Sequence, residues 1–200
     1  MALTGGIATG KSSFAKLLQE SLTGLAFFDC DAYVHELLTK PEVTRRITAL
    51  LGVDLAGSGG QLDRSQLRER VFHDQDSRRM LEDVLHPLVR AQCLLAKQEA
   101  EQTPGIRFFL MDVPLLYESG FPVPRDLEIV VACGPAAQRD RLLRRDFFSE
   151  NLARRIIGTQ LPLTEKMARA GVVVWNGGSL SALRRHTTIF STWLKSKMTH

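Results

Sequence analysis

The sequence predicts an α/β fold in which a five-stranded parallel sheet has helices on both faces. Three observations lead to this prediction. Short apolar segments alternate with segments of helical periodicity, and a glycine-rich loop follows the first apolar segment directly. A length of 200 residues with 44% hydrophobic content suits one domain, or one domain carrying a sizeable insertion. Ligands of such sheets bind at the carboxyl ends of the strands. The residues that follow each strand are therefore the first candidates for a site.

The amino-terminal part predicts the order strand, loop, helix, strand, helix. A very short strand at Ala2 and Leu3 runs into the glycine-rich residues 4–13, and a helix with apolar residues at helical spacing follows from Lys11. Residues 25–28 read as a second strand, which ends at two aspartates. A helix is then predicted over residues 32–38, and Pro41 ends it.

The rest of the chain begins with a helix-rich, charge-dense block over residues 41–104. Interruptions are predicted there at the glycine-rich residues 55–60 and at Pro87. The elements predicted after this block are strands at 108–113 and 127–132 with a loop at 114–124 between them, an arginine-rich helical stretch from Pro135 to about 157, a short helix at 164–170, a strand at 172–175, and a final helix whose apolar stripe is Leu180, Leu183, Phe190 and Leu194.

The glycine-rich loop contains the phosphate-binding motif G-x-x-x-x-G-K-[ST] between Gly5 and Ser12. Glycines let several backbone N–H groups converge on one anion, and the first turn of the following helix adds its own unpaired N–H groups. Lys11 can reach the β and γ phosphates, and the Ser12 hydroxyl can ligate Mg²⁺. The motif therefore predicts a nucleoside triphosphate with Mg²⁺, whereas the alternative is an ordinary glycine turn before a helix.

Three aspartates follow predicted strands. Asp29 and Asp31 come after the second strand, and a carboxylate there can orient an acceptor hydroxyl and take its proton. Asp112 ends the third strand in the manner of a second Mg²⁺ anchor. The alternatives are structural, since Asp31 can cap a helix and Asp112 can cap a turn.

Six arginines lie between residues 139 and 155. Arg141 and Arg145 are four residues apart, so they are expected to share a helix face. Guanidinium groups that close over phosphates stabilise the transferring group and exclude water, which predicts a lid. A solvated, salt-bridged helix is the alternative.

Overall composition agrees with an anionic ligand. Lys plus Arg total 26 against 22 Asp plus Glu, which gives a net charge of +4. The three cysteines show no metal-binding or CxxC spacing, which favours a reducing, cytoplasmic location without disulfides. No apolar run approaches the ~18 residues of a membrane span, so no membrane association is expected.

Taken together, the motifs resemble the dephospho-coenzyme A kinases. The resemblance extends over nearly the whole chain. Its segments are residues 3–12, Asp29-Cys-Asp31, Leu85-His-Pro-Leu88, Val113-Pro-Leu-Leu-Tyr-Glu118, residues 138–146, Gln160-Leu-Pro-Leu and Asn176-Gly-Gly178. The resemblance implies transfer of the ATP γ-phosphate to the ribose 3′-hydroxyl of dephospho-CoA, the last step of coenzyme A synthesis. It also implies a three-layer nucleotide-kinase core (1–40, 105–135 and 171–200), a helical substrate-binding insertion (41–104) and a lid (136–170).

Roles implied by the resemblance fall on matching residues. ATP would be held by the loop residues and by the adenine-side segment: Gly5, Gly6, Ala8, Thr9, Gly10, Lys11, Ser12, Ser13, Asn176 and Gly177. The acceptor would contact Asp29, Asp31, His86 with the turn at Pro87, Pro114, Leu115 and Glu118. Catalytic roles would fall to Asp31, Lys11, Arg141 and Arg145, and Mg²⁺ to Ser12 and Asp112. The expected partners are ATP and dephospho-CoA, without nucleic acid, in a monomer or weak homo-oligomer.

The chain departs from the family pattern at three places. Ala8 occupies a position that commonly holds glycine, which fits only if the φ angle of Ala8 is negative. Gly171 and Trp175 stand where aspartates are frequent, and the first strand is shorter than usual.

Other functions remain possible from the residues. A nucleoside or nucleoside-monophosphate kinase would keep the chemistry and change the acceptor. A nucleotide-driven switch would need an N-K-x-D motif and a D-x-x-G motif after the Asp112 strand, and the sequence has neither. A nucleic-acid-binding ATPase would interleave aromatic and basic residues, whereas here Phe147 and Phe148 stand at one edge of the arginine stretch.

Overall fold

The computed structural model describes residues 1–52, 62–145 and 149–197, and within them five strands alternate with helices. The strands are β1 (Ala2–Gly5), β2 (Leu25–Asp29), β3 (Phe108–Asp112), β4 (Glu128–Ala132) and β5 (Val172–Trp175). The helices are α1 (Lys11–Ser21), α2 (Cys30–Leu37), α3 (Pro41–Leu51), α4 (Arg64–His73), α5 (Gln75–Gln102), α6 (Leu116–Ser119), α7 (Pro135–Leu143), α8 (Glu150–Gly158), α9 (Leu163–Arg169) and α10 (Leu180–Lys197). The glycine-rich residues 55–60 lie outside the described residues.

The five strands form one sheet in the order β2-β3-β1-β4-β5. Strand β1 pairs in parallel with β3 and with β4, and β4 pairs in parallel with β5. Leu3 is in register with Ile129 and with Asp112, so β1 lies between two strands whose carboxyl ends share its edge of the sheet. The predicted α/β fold with a parallel sheet is confirmed, and the glycine-rich loop leaves the central strand at the edge where ligands bind in such folds.

The chain divides into two compact units. The first comprises Met1–Phe28 and Lys97–His200. On one face of its sheet, alternate strand residues such as Leu3 and Val131 pack in a buried cluster with Phe14 of α1 and Phe190 of α10. Intervening residues such as Val130 are fully buried too, because the sheet is covered on both faces.

The second unit comprises Asp29–Ala96 and is helical in the residues that the structure describes. It contains α2, α3, α4 and most of α5, and its buried apolar side chains include Leu37, Val43, Ile47, Leu51, Leu67, Val84, Leu85, Val89 and Cys93. The division into core, substrate-binding insertion and lid stays a prediction.

The predicted interruption at Pro87 is wrong, because Pro87 lies inside the 28-residue helix α5. Proline leaves the carbonyl four residues earlier without its helical partner. That carbonyl belongs to the exposed Asp83, and Pro87 is exposed as well. Leu85 and Val89 are buried on the opposite side of the helix, so packing holds α5 continuous across the proline.

Two smaller expectations also differ from the structure. Residues 114–124 include the short helix α6 rather than only a loop. Leu180 does not belong to the apolar stripe of α10: it is 61% exposed, whereas Leu183, Phe190 and Leu194 are buried. Among the described helices, none is long and apolar enough to cross a membrane.

Candidate active site

The phosphate loop connects β1 to α1, and its glycines are required by geometry. Gly10 is the N-cap residue directly before α1 and has a φ of +94°, and a Cβ atom there would lie 2.0 Å from Nδ2 of Asn176. A Cβ at Gly5 would lie 2.6 Å from the carbonyl oxygen of Val131. Side chains at either position would push the loop away from β4 or from Asn176.

Ala8 has a φ of +57°, so the expectation of a negative φ is wrong. Among the described residues it is the one non-glycine residue in the left-handed region. A Cβ atom in this region costs about 1 kcal/mol or more. The contacts around the loop outweigh that cost, and Ala8 is a strained position beside the phosphate-binding peptides.

The loop is held from outside at the carbonyl of Thr9. Nδ2 of Asn176 donates a hydrogen bond to this oxygen at 2.9 Å, and Nη1 of Arg141 donates a second at 3.2 Å. Nη2 of Arg141 also donates to the carbonyl of Asn176 at 2.8 Å. Inside the loop, the Thr9 hydroxyl donates to the Gly6 carbonyl at 2.8 Å. The structure thus brings Arg141, predicted in the lid, and Asn176, expected near the adenine, to Thr9 and Gly10 of the phosphate loop.

Lys11 and Asp112 form an ion pair at the carboxyl ends of β1 and β3. Asp112 is almost fully buried, while the hydroxyl-bearing Ser12 and Ser13 are exposed on the first turn of α1. Carboxylate and hydroxyl oxygens are hard ligands of the kind that Mg²⁺ prefers when it also binds phosphates and waters. The donor set of Ser12 and Asp112 therefore fits Mg²⁺.

Other metal or thiol chemistry has little support near the loop. In the described parts of the chain, His, Cys, Asp and Glu do not form a group of three that could hold a metal. Burial raises the pKa of the Cys133 thiol at the end of β4, and the nearby Arg141 guanidinium opposes this shift only in part. The thiol is therefore protonated at neutral pH.

Arg145 does not share a helix face with Arg141. Helix α7 ends at Leu143, and the Arg145 N–H bonds the Leu142 carbonyl at 3.0 Å in the turn that follows. The helical spacing therefore stops before Arg145, which is exposed. Arg139 nearby pairs with Glu150 of α8. Asp146, Phe147 and Phe148 lie outside the described residues.

Glu118 and Pro114, predicted to contact the acceptor, lie in the segment after β3. The Pro114 carbonyl accepts a hydrogen bond from the Thr4 hydroxyl at 3.0 Å. Oε1 of Glu118 lies 2.7 Å from Nζ of Lys166 and accepts a hydrogen bond from the Leu161 N–H at 3.0 Å. Leu115, which lies between Pro114 and Glu118 along the chain, is half-buried. Contact of this segment with an acceptor stays a prediction.

Sequence reasoning gave no role to three side chains that contact this segment or the phosphate loop. Lys166 of α9 is fully buried, Gln138 of α7 donates to the Ile7 carbonyl at 2.7 Å, and Gln160 accepts from the Ile7 N–H at 2.8 Å. Both glutamines fall within the segments of the family resemblance. Lys166 had no such signal, because a lysine in a short helix usually faces solvent.

The remaining predicted residues lie in the second unit. Oδ1 of Asp29 accepts from the Ala32 N–H at 2.9 Å and caps α2, so the capping role considered for Asp31 belongs to Asp29. The Asp31 carbonyl contacts Nδ1 of His35 at 2.7 Å. His86 is exposed on α5 rather than in a turn. Their roles toward the acceptor stay predictions.

A parallel α/β sheet, a phosphate loop on its central strand and a carboxylate at the neighbouring strand end define a P-loop protein that binds a nucleoside triphosphate. Comparison with known proteins narrows this class. The sequence model described as dephospho-CoA kinase matches residues 1–182. The chain therefore belongs to the dephospho-CoA kinase family.

Individual relatives agree with this assignment. The chain is 36% identical over 195 residues to the dephospho-CoA kinase of Geobacillus kaustophilus, with 96% of each chain covered. It is 39% identical over 188 residues to that of Anaeromyxobacter dehalogenans, with 92% of this chain and 86% of the relative covered.

Solved structures show the same fold. A protein of Thermus thermophilus matches with a TM-score of 0.78 and 30% identity, covering 96% of both chains. The dephospho-CoA kinase of Campylobacter jejuni matches with a TM-score of 0.70 and 23% identity, covering all of this chain and 98% of the other. The two matches extend over both compact units.

Proposed function

We propose that this protein transfers the γ-phosphate of ATP to the ribose 3′-hydroxyl of dephospho-CoA, giving coenzyme A and ADP. Membership of the dephospho-CoA kinase family supports dephospho-CoA as the acceptor. The observation that best supports the chemistry is the phosphate loop, because Arg141, Asn176 and the buried Asp112 all contact it through Thr9 or Lys11. A loop held in this way can present its N–H groups and Lys11 to the phosphates without much reorganisation.

On the nucleotide side, the loop from Gly5 to Gly10 and the first turn of α1, including Ser13, present N–H groups to the phosphates. Lys11 neutralises the β and γ oxygens, and Ser12 and Asp112 are the residues that would hold Mg²⁺. This ion would supply further neutralisation of phosphate charge. Asn176 and Gly177 lie toward the adenine, and Arg141 and Arg145 stabilise the transferring group from the lid.

On the acceptor side, Asp31 is the proposed base. The 3′-oxygen forms a bond to the γ-phosphorus as the bond from that phosphorus to the β–γ bridging oxygen breaks. The hydroxyl proton moves late to Asp31, so orientation matters more than the low basicity of a carboxylate. Asp29, His86, Pro114, Leu115 and Glu118 form the remaining acceptor contacts.

A coupled assay of ADP release tests both the acceptor and the base. We expect release to depend on dephospho-CoA and to remain at background with adenosine or a nucleoside monophosphate. Asp31→Asn should lower kcat by about 100-fold, the size usual for loss of a general base. Equal activity with a nucleoside would show that dephospho-CoA is not the specific acceptor. Full activity of Asp31→Asn would show that Asp31 is not the base.

We further propose that the enzyme acts in the cytoplasm as a monomer or weak homo-oligomer. Support for the cytoplasm comes from the three buried cysteines, none of which forms a disulfide, as is usual in a reducing compartment. Light scattering over a range of protein concentrations would test the oligomeric state.

A further inference from the structure

Alternate carbonyls of the phosphate loop are each held by a side chain from another part of the first unit. The three contacts are Nζ of Lys166 to the Gly5 oxygen at 3.4 Å, Nε2 of Gln138 to the Ile7 oxygen at 2.7 Å, and Nδ2 of Asn176 to the Thr9 oxygen at 2.9 Å. Helices α9 and α7 and the segment after β5 provide these donors. The three donors therefore fix every second peptide of the loop.

Fixing a carbonyl also fixes the N–H group of the following residue. All described peptide bonds are trans, and in a trans peptide the C=O and N–H groups point in opposite directions. The N–H groups of Gly6, Ala8 and Gly10 therefore point away from the three donors. Backbone N–H groups of a loop in this position are of the kind that bind a phosphate chain.

Lys166 differs from the other two donors because it is charged and has no exposed surface. A buried ammonium is tolerated only with a counterion and hydrogen-bond acceptors. Glu118 provides the counterion at 2.7 Å, and the Gly5 carbonyl is a further acceptor. The Leu161 N–H in turn holds the Glu118 carboxylate at 3.0 Å. The ion pair thus connects α9, α6 and the first residue of the phosphate loop.

We propose that Lys166, neutralised by Glu118, is a positioning residue that orients the Gly5–Gly6 peptide for ATP binding. It acts through the loop backbone and touches no substrate itself. This inference rests on the proposed function for the use of ATP, and it gives Glu118 a role in nucleotide binding in addition to the acceptor contact expected from the sequence.

The first test is Lys166→Met, which keeps most of the side-chain length and removes the charge. Loss of a hydrogen bond from a charged group is expected to raise the Kd for an ATP analogue about tenfold. The Kd is measured without acceptor by calorimetry. The KM for dephospho-CoA is compared in Gln138→Met, which leaves the Lys166–Glu118 pair intact; there it should change less than about twofold, because a loop-specific defect leaves the acceptor untouched.

The double variant Lys166→Met/Glu118→Gln separates positioning from stability. Lys166→Met alone leaves the Glu118 carboxylate without its counterion and should lower the melting temperature. Glu118→Gln removes that charge and keeps an oxygen for the Leu161 N–H. We therefore expect the double variant to recover the melting temperature but to keep the weakened ATP binding.

Glu165→Gln is the matched control, because Glu165 lies next to Lys166 on α9 and its exposed side chain pairs with Arg169 at 3.7 Å. Its ATP affinity should equal that of the parent. Gln138→Met provides a second variant at the Ile7 carbonyl and should weaken ATP binding similarly, even if Lys166→Met fails to fold.

Two results would overturn the inference. One is an unchanged ATP affinity in a folded Lys166→Met protein or, if that variant does not fold, in Gln138→Met. The other is recovery of affinity together with melting temperature in the double variant. A parent that binds ATP normally but does not phosphorylate dephospho-CoA would instead refute the proposed acceptor and leave this inference standing.

Discussion

Lys11 has two tasks in this structure, because its ammonium pairs with the buried Asp112 as well as being the phosphate-binding lysine of the motif. Removing it eliminates a phosphate contact and also leaves the Asp112 carboxylate without this counterion. Lys11→Met is expected to lower kcat/KM by about 100-fold or more. It should also lower the free energy of unfolding by about 3 kcal/mol.

Urea denaturation and the ADP assay measure these two effects separately. Adding Asp112→Asn to Lys11→Met should restore most of the stability and none of the activity. If the single variant is as stable as the parent, the ion pair contributes nothing to folding.

Ala8 offers the opposite case, a residue whose replacement should stabilise the fold. Its φ of +57° is unfavourable for any residue with a Cβ and neutral for glycine. Ala8→Gly should therefore raise the free energy of unfolding by about 1 kcal/mol, less the extra entropy that glycine adds to the unfolded chain. Ala136→Gly, at an exposed helical position of α7, should lower it. Thermal denaturation measures the stability of both variants relative to the parent. A loss of stability in Ala8→Gly would mean that the backbone strain at Ala8 is absent.

At the residue scale, the sequence predicted those parts of the site that depend on local chain geometry. The spacing of Gly5, Gly10, Lys11 and Ser12 defines a loop and a helix start, and both are present. The contacts made by Lys166 and Gln138 join residues more than 100 positions apart and depend on packing of α7 and α9. Because neither contact has a local sequence pattern, neither could be predicted before the structure was known.

At the scale of elements, the strands were predicted well because a buried parallel strand is a continuous apolar run with a clear end. Pro87 misled the prediction for α5. A proline changes local geometry, but the buried side chains before and after it hold the helix through that point. The prediction for Arg145 failed in the opposite direction. It assumed that the helix continues to Arg145, whereas α7 ends at Leu143.

Pro87→Ala tests why a proline stays inside α5. Proline in a helix interior costs about 3 kcal/mol in a regular helix. Its replacement at this exposed position should therefore raise the free energy of unfolding by at least about 1 kcal/mol. If His86 and Pro87 shape the acceptor pocket as proposed, the same variant should raise the KM for dephospho-CoA and leave the KM for ATP unchanged.

Leu88→Ala, next along the helix and half-buried, should instead lower stability. Urea denaturation and steady-state kinetics provide the measurements. A stabilised Pro87→Ala enzyme with unchanged kinetic constants would show that the proline has no part in acceptor binding.

At the scale of the whole molecule, the surplus of four positive charges either serves one anion-binding site or is spread over a diffuse basic surface. The proposed function assigns this surplus to polyphosphate at the loop and the arginine stretch. Heparin is a polyanion that lacks nucleobases, so the salt concentration at which the protein elutes from it reports how strongly the positive charges attract an anion. We expect Mg²⁺-ATP to release the protein from heparin at a salt concentration where an equal ionic strength of NaCl does not.

Two charge-matched double variants locate the effect. Arg144→Gln/Arg145→Gln removes two exposed charges after α7, and Arg184→Gln/Arg185→Gln removes two exposed charges on α10. If the surplus serves the phosphate site, the first variant should elute at distinctly lower salt and lose its response to ATP. The second should elute only slightly earlier and keep that response. Equal shifts in both variants, with no effect of ATP, would favour a diffuse basic surface and a nucleic-acid partner, because such binding depends on total charge rather than on the loop.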